Sequence, residues 1–207
     1  RGVMIRRRKQ DVLKELPPKR RQIIELPADR EASQLMGEEW SVYNEFKDYL
    51  DEAVKPKGIK ALAEISRARH QVALAKVPQV IEHLRDAIEE GPVVCFAHHR
   101  DVIWQIADPF GEQAMVITGD SAAMQRQFAV DRFQQGKADL LVGNIEAAGT
   151  GITLTRSSHV VFAELDWVPS RLTQAEDRCH RIGQMESLLV QHLVLEDSLD
   201  AKMARTL

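Results

Sequence analysis

The chain of 207 residues has no long apolar run and contains only two cysteines, Cys95 and Cys179. A membrane-spanning helix needs about 20 consecutive apolar residues, so we expect none here. The two cysteines lie far from each other and from any clustered histidines, which indicates neither a disulfide framework nor a zinc site. The chain begins at Arg1 without an initiator methionine or an apolar signal region. We therefore expect part of a longer protein that is not secreted, with a reducing, cytoplasmic location as the default.

The composition is that of an ordinary folded domain, since 44% of the residues are hydrophobic and 29% are charged. This length suits one α/β core of good size or at most two small domains. The net charge of −3 is uneven, because residues 1–22 carry +7 and the remaining 185 residues carry −10. Such a basic arm is able to bind a polyanion or another face of the same protein. A solvated helix with surplus charge explains it equally well.

The first two stretches of the chain lack the pattern of a sheet. Residues 1–27 show a basic helical pattern that ends at the doubled proline 17–18 and precedes a short strand at 22–26. Two prolines remove two backbone donors and force the preceding residue out of helical geometry. Residues 28–90 show helical periodicity. This predicts a helical appendage whose third helix runs from about 77 to 90.

Residues 91–207 alternate between strands and helices. Short apolar runs typical of buried strands lie at 93–97, 115–117, 140–142, 160–162 and 188–190. Helical patterns cover 99–107, 121–134, 169–182 and 198–206. The alternation predicts an α/β fold with a parallel sheet, in which ligands bind at the carboxyl ends of the strands. Chemistry is therefore expected just after residues 97, 118, 143 and 163.

Two of these strand ends are followed by a turn that opens a helix. His99 and Arg100 follow the first strand, and Thr118, Gly119 and Ser121 follow the second. Exposed amides at a helix start, with a hydroxyl or a cation beside them, bind anions. Simple helix capping by Asp120 or Ser121 is the alternative. The adjacent pair His98 and His99 has no third ligand nearby, so we expect no metal site.

A glycine-rich loop follows the strand at 140–142 and covers residues 143–155. Its small residues allow backbone amides to approach a ligand closely, as phosphate-binding loops require. The loop lacks the Gly-Lys-Ser/Thr signature of the common phosphate loop. By itself it indicates a close backbone approach and leaves the ligand open.

The predicted helix at 169–182 carries Gln174, Arg178 and Arg181 at i, i+4 and i+7. This spacing places an amide and two guanidinium groups on one helical face. Two arginines beside a glycine-rich loop suit a phosphoryl group, because their planar forks match phosphate oxygens and neutralise developing charge. The alternative is a salt-bridged surface helix, in which Glu176 and Asp177 pair with the arginines.

Residues 174–184, QAEDRCHRIGQ, resemble motif VI of the Swi/Snf-type ATPases of helicase superfamily two. Residues 6–19 are similar to the segment with which these proteins enter their second lobe, 94–101 to motif IV and 147–155 to motif V. Residues 161–167, VFAELDW, resemble in particular the annealing-helicase (HARP-like) branch. The resemblance covers essentially the whole chain.

The resemblance implies a second RecA-like (P-loop NTPase-like) lobe, a parallel sheet flanked by helices with an all-helical protrusion near the N-terminus. The implied units are a basic helix and strand at 1–27, the protrusion at 28–90 and the helicase C-terminal core at 91–207. In this family two lobes enclose ATP and track along double-stranded DNA, and Arg178 and Arg181 match the arginine fingers. The residues implied for ATP or the lobe interface are Gln174, Gly149, Gly151 and Thr153, the last of which stands where the family commonly has Asn. The residues implied for DNA are His99, Arg100, Thr118, Gly119, Ser121, Asn144 and Thr150.

The chain lacks the Gly-x-x-x-x-Gly-Lys-Ser/Thr loop and the Asp-Glu-x-His box that hold and activate ATP in this family. We therefore expect the fragment alone to be inactive as an ATPase and to bind no cofactor. ATP and Mg²⁺ belong to the parent, whose N-terminal RecA-like lobe supplies the magnesium ligands. We expect that lobe and double-stranded or branched DNA as partners, no membrane, and a cytoplasmic or nucleoid-associated location, nuclear in a eukaryote. The alternatives are a stand-alone DNA-binding module that uses the 1–22 arm and a protein-interaction module without an ATPase role.

Overall fold

The computed structural model describes residues 15–52, 56–148 and 151–206. Its strands are β1 (Lys19–Leu26), β2 (Val93–Ala97), β3 (Ala114–Ile117), β4 (Leu140–Asn144), β5 (His159–Phe162) and β6 (Leu188–Leu195). Its α-helices are α1 (Arg30–Phe46), α2 (Pro56–Glu90), α3 (Arg100–Ala107), α4 (Ala123–Gln134), α5 (Ile145–Ala148), α6 (Pro169–Glu176) and α7 (Leu199–Ala204). Most of the predicted basic helix falls on residues 1–14, outside the described residues. The division into units at 1–27, 28–90 and 91–207 stays a prediction.

The six strands form one sheet in the order β1-β6-β5-β2-β4-β3. Every neighbouring pair is parallel, and Val93 of β2 lies opposite Leu140 of β4 and His159 of β5. All five residues of β2 are buried, because helices cover both faces of the sheet. This explains the continuous apolar run at 93–97. The predicted α/β fold, a parallel sheet flanked by helices, is confirmed.

Each face of the sheet buries its own set of apolar side chains. Helices α4, α6 and α7 pack on the face that includes Val94 and Phe96. Helices α2 and α3 pack on the opposite face, which includes Val93 and Cys95. Alternate residues of β2 therefore belong to opposite layers, as the two-residue period of a strand requires.

Helix α2 is 35 residues long and continues through Pro78. The prediction of a separate helix that begins near residue 77 is therefore wrong. A proline inside a helix costs about 3 kcal/mol, but Val72 and Val80 on either side of it are both buried. Burial of this continuous face against α1 and the sheet outweighs the proline. No helix in the described part of the chain is both long and apolar enough to cross a membrane.

Buried charges fasten α2 to the sheet and to α7. The Arg69 guanidinium donates to Asp200 Oδ1 at 2.6 Å and to the Leu165 carbonyl at 2.7 Å. Lys76, which is 2% exposed, donates from Nζ to the Leu193 carbonyl at 2.8 Å. Removing one partner from such a group leaves an uncompensated buried charge, which costs several kcal/mol. These bonds therefore hold α2 firmly against the β5 and β6 side of the sheet.

Glu39 of α1 lies beside this charged group and is 1% exposed. Its Oε2 accepts a hydrogen bond from the Leu199 amide at 2.9 Å. Burial, partly offset by that bond, raises the pKa of Glu39 from 4.5 to about 7. Because the pKa is higher in the folded state, the stability from protonated Glu39 is complete below pH 4.5 and is lost as the pH rises through 7.

We expect Glu39→Gln to increase the free energy of unfolding at pH 8 by up to about 3 kcal/mol, because the amide has no charge to bury. The gain should shrink as the pH falls and disappear below the ordinary pKa of a glutamate. Urea unfolding of both proteins at several pH values measures this difference. Glu38→Gln, at an exposed position of the same helix, should leave stability unchanged. A gain of equal size at every pH would contradict the assignment.

Candidate functional site

Polar side chains connect the loops that follow β2, β4 and β5 at the carboxyl edge of the sheet. Glu164, after β5, accepts with Oε2 from the amides of His98 and His99, both at 2.8 Å. Asn144, at the end of β4, donates from Nδ2 to the His98 carbonyl at 2.7 Å. Three loops at the edge where parallel sheets bind ligands are therefore fixed relative to one another.

The Glu164 carboxylate occupies the amides that the sequence predicted to be open to an anion. Glu164 is 3% exposed, and its Oε1 lies 2.6 Å from His99 Nδ1. Burial alone would raise its pKa, but hydrogen bonds from the His99 ring and the two amides hold the pKa below its usual value. The expectation of exposed amides at residues 98 and 99 is therefore wrong. The sequence signal for Glu164 is an acid two residues beyond a buried strand.

The two predicted side chains of this turn have different environments. The His99 ring lies between Glu164 and the His70 ring, which stacks on it with 4.1 Å between centroids. The Arg100 side chain is 68% exposed, and its Nη1 donates to Asp120 Oδ2 at 2.5 Å. Arg100 is thus an exposed cation that links the turns after β2 and β3, whereas the His99 side chain is mostly buried against Glu164.

The turn after β3 is closed by a hydroxyl group. The Thr118 amide donates to Ser121 Oγ at 2.9 Å, and the Ser121 amide donates to the Thr118 carbonyl at 3.2 Å. The start of α4 is satisfied by Gln125, whose side chain accepts from the Ala122 amide at 2.9 Å. Helix capping by Asp120 or Ser121, the alternative explanation of this turn, is therefore wrong.

Of the remaining predicted site residues in the turn after β3 and the glycine-rich loop, Asn144, Gly119 and Gly151 lie in the described part of the chain. Asn144 Oδ1 accepts from the amides of residues 146 and 147 at 3.0 and 3.1 Å, so this side chain also starts α5. Gly119 and Gly151 are exposed. Gly151 has a φ of 74°, a left-handed conformation that favours glycine. Gly149 and Thr150 lie outside the described residues.

Helix α6 ends at Glu176, so the predicted helix to residue 182 is wrong and Gln174, Arg178 and Arg181 do not share one helical face. Glu176 has no exposed surface and forms ion pairs with Lys19 and Arg21 of β1. The distance from Arg21 Nε to Glu176 Oε1 is 2.9 Å. Beyond Glu176 the amides of residues 178 and 179 bond to carbonyls three residues back, and the Arg178 carbonyl bonds to the glycine-rich loop.

One main-chain and one side-chain hydrogen bond hold residues 178–184 against the end of that loop and the residues just after it. The Leu154 amide donates to the Arg178 carbonyl at 2.9 Å. Gln184, 6% exposed, donates from Nε2 to the Ser157 carbonyl at 2.7 Å. A buried amide that lost these partners would cost about 1–3 kcal/mol. The segment resembling motif VI and the end of the glycine-rich loop therefore form one packed unit.

Arg181 and Thr153, which the resemblance singled out separately, are in contact. Arg181 Nη1 donates to Thr153 Oγ1 at 3.0 Å and to the Ile152 carbonyl at 3.3 Å. Among the described residues, the hydrogen bonds of Arg181 thus go to neutral oxygens. Glu176 is bound by β1, so the alternative in which it pairs with these arginines is wrong. Gln174 is exposed on α6.

The two prolines before β1 bond to residues 180 and 188, and the sequence did not predict these contacts. His180 Nε2 donates to the Pro17 carbonyl at 2.8 Å, and the Leu188 amide donates to the Pro18 carbonyl at 2.9 Å. Nothing in the sequence pattern marks these contacts, because the partners lie more than 150 residues apart. Within the described ranges, no group of three or more His, Cys, Asp or Glu side chains is able to hold a metal ion.

Residues 75–183 match the family of the helicase conserved C-terminal domain. The chain is 32% identical, over 97% of its length, to the DNA annealing helicase and endonuclease ZRANB3 of Bos taurus. It is 34% identical, over 96% of its length, to the SWI/SNF-related matrix-associated actin-dependent regulator of chromatin subfamily A-like protein 1 of Xenopus tropicalis. It spans 19% and 21% of the lengths of these two proteins.

Two solved structures have the same fold. The Sulfolobus solfataricus SWI2/SNF2 ATPase core in complex with dsDNA matches with a TM-score of 0.68 and 20% identity, over 97% of this chain and 46% of that chain. The C-terminal part of the Fun30 ATPase domain matches with a TM-score of 0.68 and 14% identity, over 92% of this chain and 89% of that chain. These matches confirm the predicted RecA-like second lobe. The matched family region covers more than half of the chain and includes residues 152–157 and 178–183, so this chain belongs to the helicase conserved C-terminal domain family.

Proposed function

We propose that this chain is the second lobe of an ATP-dependent translocase on double-stranded DNA. In this proposal Arg178 and Arg181 complete a nucleotide pocket whose other wall is the N-terminal lobe of the same protein. The observation that supports it most directly is the bond of 3.0 Å between Arg181 Nη1 and Thr153 Oγ1. That bond fixes a half-buried guanidinium beside a glycine-rich loop at the carboxyl edge of a parallel sheet.

The donor geometry of Arg181 fits a phosphate group. A guanidinium has five N–H donors, and the described hydrogen bonds of Arg181 involve Nη1. The remaining donors are able to bind two phosphate oxygens as a fork. ATP and Mg²⁺ would be held mainly by the N-terminal lobe, because this chain lacks the phosphate loop and the acidic box. In this proposal the Arg178 and Arg181 side chains neutralise the charge that develops on the transferred phosphoryl group.

The DNA-facing surface in this proposal is formed by the turns after β2 and β3. Arg100 supplies an exposed cation, and the turn from Thr118 to Ser121 has an exposed glycine at its tip. Phosphate contacts of this type give affinity without reading sequence. The relatives' names describe DNA annealing and chromatin regulation, so a location at chromosomal DNA, in the nucleoid or the nucleus, is part of the proposal.

A stand-alone DNA-binding or protein-interaction module has less support. Lys19 and Arg21 belong to the basic arm, yet both bind the buried Glu176 inside the chain. These two cations therefore serve the fold instead of an external polyanion. No contact among the described residues favours a module that works without the nucleotide pocket.

We expect Arg178→Ala and Arg181→Ala, each made in the protein that contains both lobes, to lower DNA-stimulated ATP turnover by roughly 10³-fold or more. The reason is that each variant loses positive charge at the transferred phosphoryl group. Binding of DNA without nucleotide should stay within about twofold, since neither residue belongs to the proposed DNA surface. Steady-state ATP hydrolysis and DNA titration measure the two effects.

Arg67→Ala is the matched control for these variants. The Arg67 side chain is 71% exposed and bonds to Glu64 at 2.8 Å on the same helix. Its loss should leave turnover unchanged, because a surface pair of this kind contributes little. Normal turnover in either Arg178→Ala or Arg181→Ala would refute the role assigned to these arginines.

We expect Arg100→Gln to weaken binding to double-stranded DNA of any sequence and to lower the salt dependence of log K by about one unit of slope. Titrations at several salt concentrations measure that slope. Arg132→Gln is the control, because Arg132 lies in the last turn of α4, at the end away from the turn after β3. An unchanged slope for Arg100→Gln would remove Arg100 from the DNA surface.

A further inference from the structure

The doubled proline before β1 presents two carbonyl groups to distant parts of the chain. The Pro17 carbonyl accepts a hydrogen bond from His180 Nε2 at 2.8 Å, and the Pro18 carbonyl accepts one from the Leu188 amide at 2.9 Å. A proline ring holds its own φ at about −65°, and a following proline restricts ψ to extended values. The acceptor for His180 is therefore held in one direction by the covalent structure of the chain.

His180 lies between the two arginines of the proposed nucleotide pocket. On one side of it, the Arg178 carbonyl accepts from the Leu154 amide at 2.9 Å. On the other side, Arg181 Nη1 donates to Thr153 Oγ1 at 3.0 Å. Both of these bonds reach the glycine-rich loop, whereas the His180 ring bonds to the segment before β1. The stretch that carries the arginines is thus fixed on two sides.

The main chain around His180 has little slack. The amides of Arg178 and Cys179 bond to carbonyls three residues back at 3.0 Å, and the His180 amide bonds to the Glu176 carbonyl at 2.9 Å. Cys179 is completely buried and holds the chain against the core. Since consecutive Cα atoms are only about 3.8 Å apart, a change in the orientation of residue 180 is passed directly to Arg181.

The strand that follows the doubled proline binds the same stretch. Lys19 and Arg21 form ion pairs with the buried Glu176. The segment 17–21 therefore contacts residues 176 and 180, which precede Arg178 and Arg181. Because the ion pairs fix β1 relative to this stretch, the Pro17 carbonyl stays where it orients the His180 ring.

We infer that His180 is a positioning residue for Arg178 and Arg181, and that its bond to the Pro17 carbonyl sets the orientation of the main chain between the two guanidinium groups. The inference rests on the proposed function, because it requires both arginines to act on a transferred phosphoryl group. His180 itself needs no contact with the nucleotide. Because the arginines act on charge that develops in the transition state, their misplacement lowers kcat and leaves the binding of ATP unchanged. A displacement of about 1 Å can cost roughly 100-fold in rate.

The test uses the protein that contains both lobes and measures kcat and KM for ATP at saturating double-stranded DNA, together with the Kd for that DNA. His180→Leu removes the donor and retains a bulky side chain, so it should lower kcat by about 10- to 100-fold. KM for ATP and Kd for DNA should stay within about twofold of the wild-type values. His180→Gln supplies an amide N–H that reaches the same carbonyl, so it should restore kcat to within about threefold of wild type.

A second variant changes the acceptor and leaves His180 in place. Pro18→Ala keeps both carbonyl groups but frees the ψ angle of Pro17, so it should lower kcat by about threefold to tenfold at unchanged KM. The double variant should have the kcat of His180→Leu alone, because the bond is already lost. Pro18→Ala also carries the test if His180→Leu does not fold.

His83→Leu is the matched control for these variants. His83 Nε2 lies 2.8 Å from Gln191 Oε1, so this variant loses a histidine hydrogen bond of the same length. Helix α2, which carries His83, packs on the face of the sheet opposite to α6. The control should keep the wild-type kcat. Urea unfolding of all variants separates a loss of stability from a loss of turnover.

The outcomes distinguish the inference from the function on which it rests. A kcat of His180→Leu within about twofold of wild type overturns the inference. It is also overturned if His180→Gln is as slow as His180→Leu, if the losses add in the double variant, or if His83→Leu is equally slow. In all of these cases the proposed function stands as long as Arg178→Ala and Arg181→Ala lose their turnover. Normal turnover in either arginine variant overturns the role of these arginines, and the inference with it.

Discussion

The position of both arginines in the segment 174–184 depends on one buried carboxylate. Glu176 has no exposed surface, and Lys19 and Arg21 compensate its charge. A buried charge without such partners would cost several kcal/mol, so the end of α6 cannot move away from β1. The chain beyond Glu176 starts from this fixed point and reaches the glycine-rich loop, where the Arg178 carbonyl accepts from the Leu154 amide. An edge strand and a helix end thus determine where the guanidinium groups stand.

The sequence predicts well whatever depends on local pattern. Apolar runs such as 93–97 identify the buried strands, and their alternation with helices identifies a parallel sheet. It predicts poorly whatever depends on a distant partner. The end of α6 at Glu176 follows from ion pairs with residues more than 150 positions away, and no periodicity carries that information. In the same way the sequence predicts a separate helix from about residue 77, but the burial of a long apolar face keeps α2 continuous through Pro78.

The candidate site shows the same division. Arg181 and Thr153 are two of the residues that the family resemblance implied, and the structure brings them into contact. Glu164 was not predicted, because it accepts hydrogen bonds from the amides of His98 and His99, which follow a different strand, β2. A helix start predicts an anion site only while its amides are available. At residues 98 and 99 the chain supplies that anion itself. We therefore propose the site for an external phosphate at the Arg100 side chain and the turn after β3.

An acidic chain can present an edge to a polyanion if its acids are compensated internally. Asp200 is paired with Arg69, Glu176 with β1 and Glu164 with amides and an imidazole. The net charge of −3 is therefore a poor guide to the potential at the carboxyl edge, where field strength depends on which groups lack a nearby counter-charge. Arg69 and His70 are consecutive residues of α2, yet one bonds to the loop after β5 and the other to the turn after β2. Through these two contacts a single helix determines the geometry of the edge at which we propose that DNA binds.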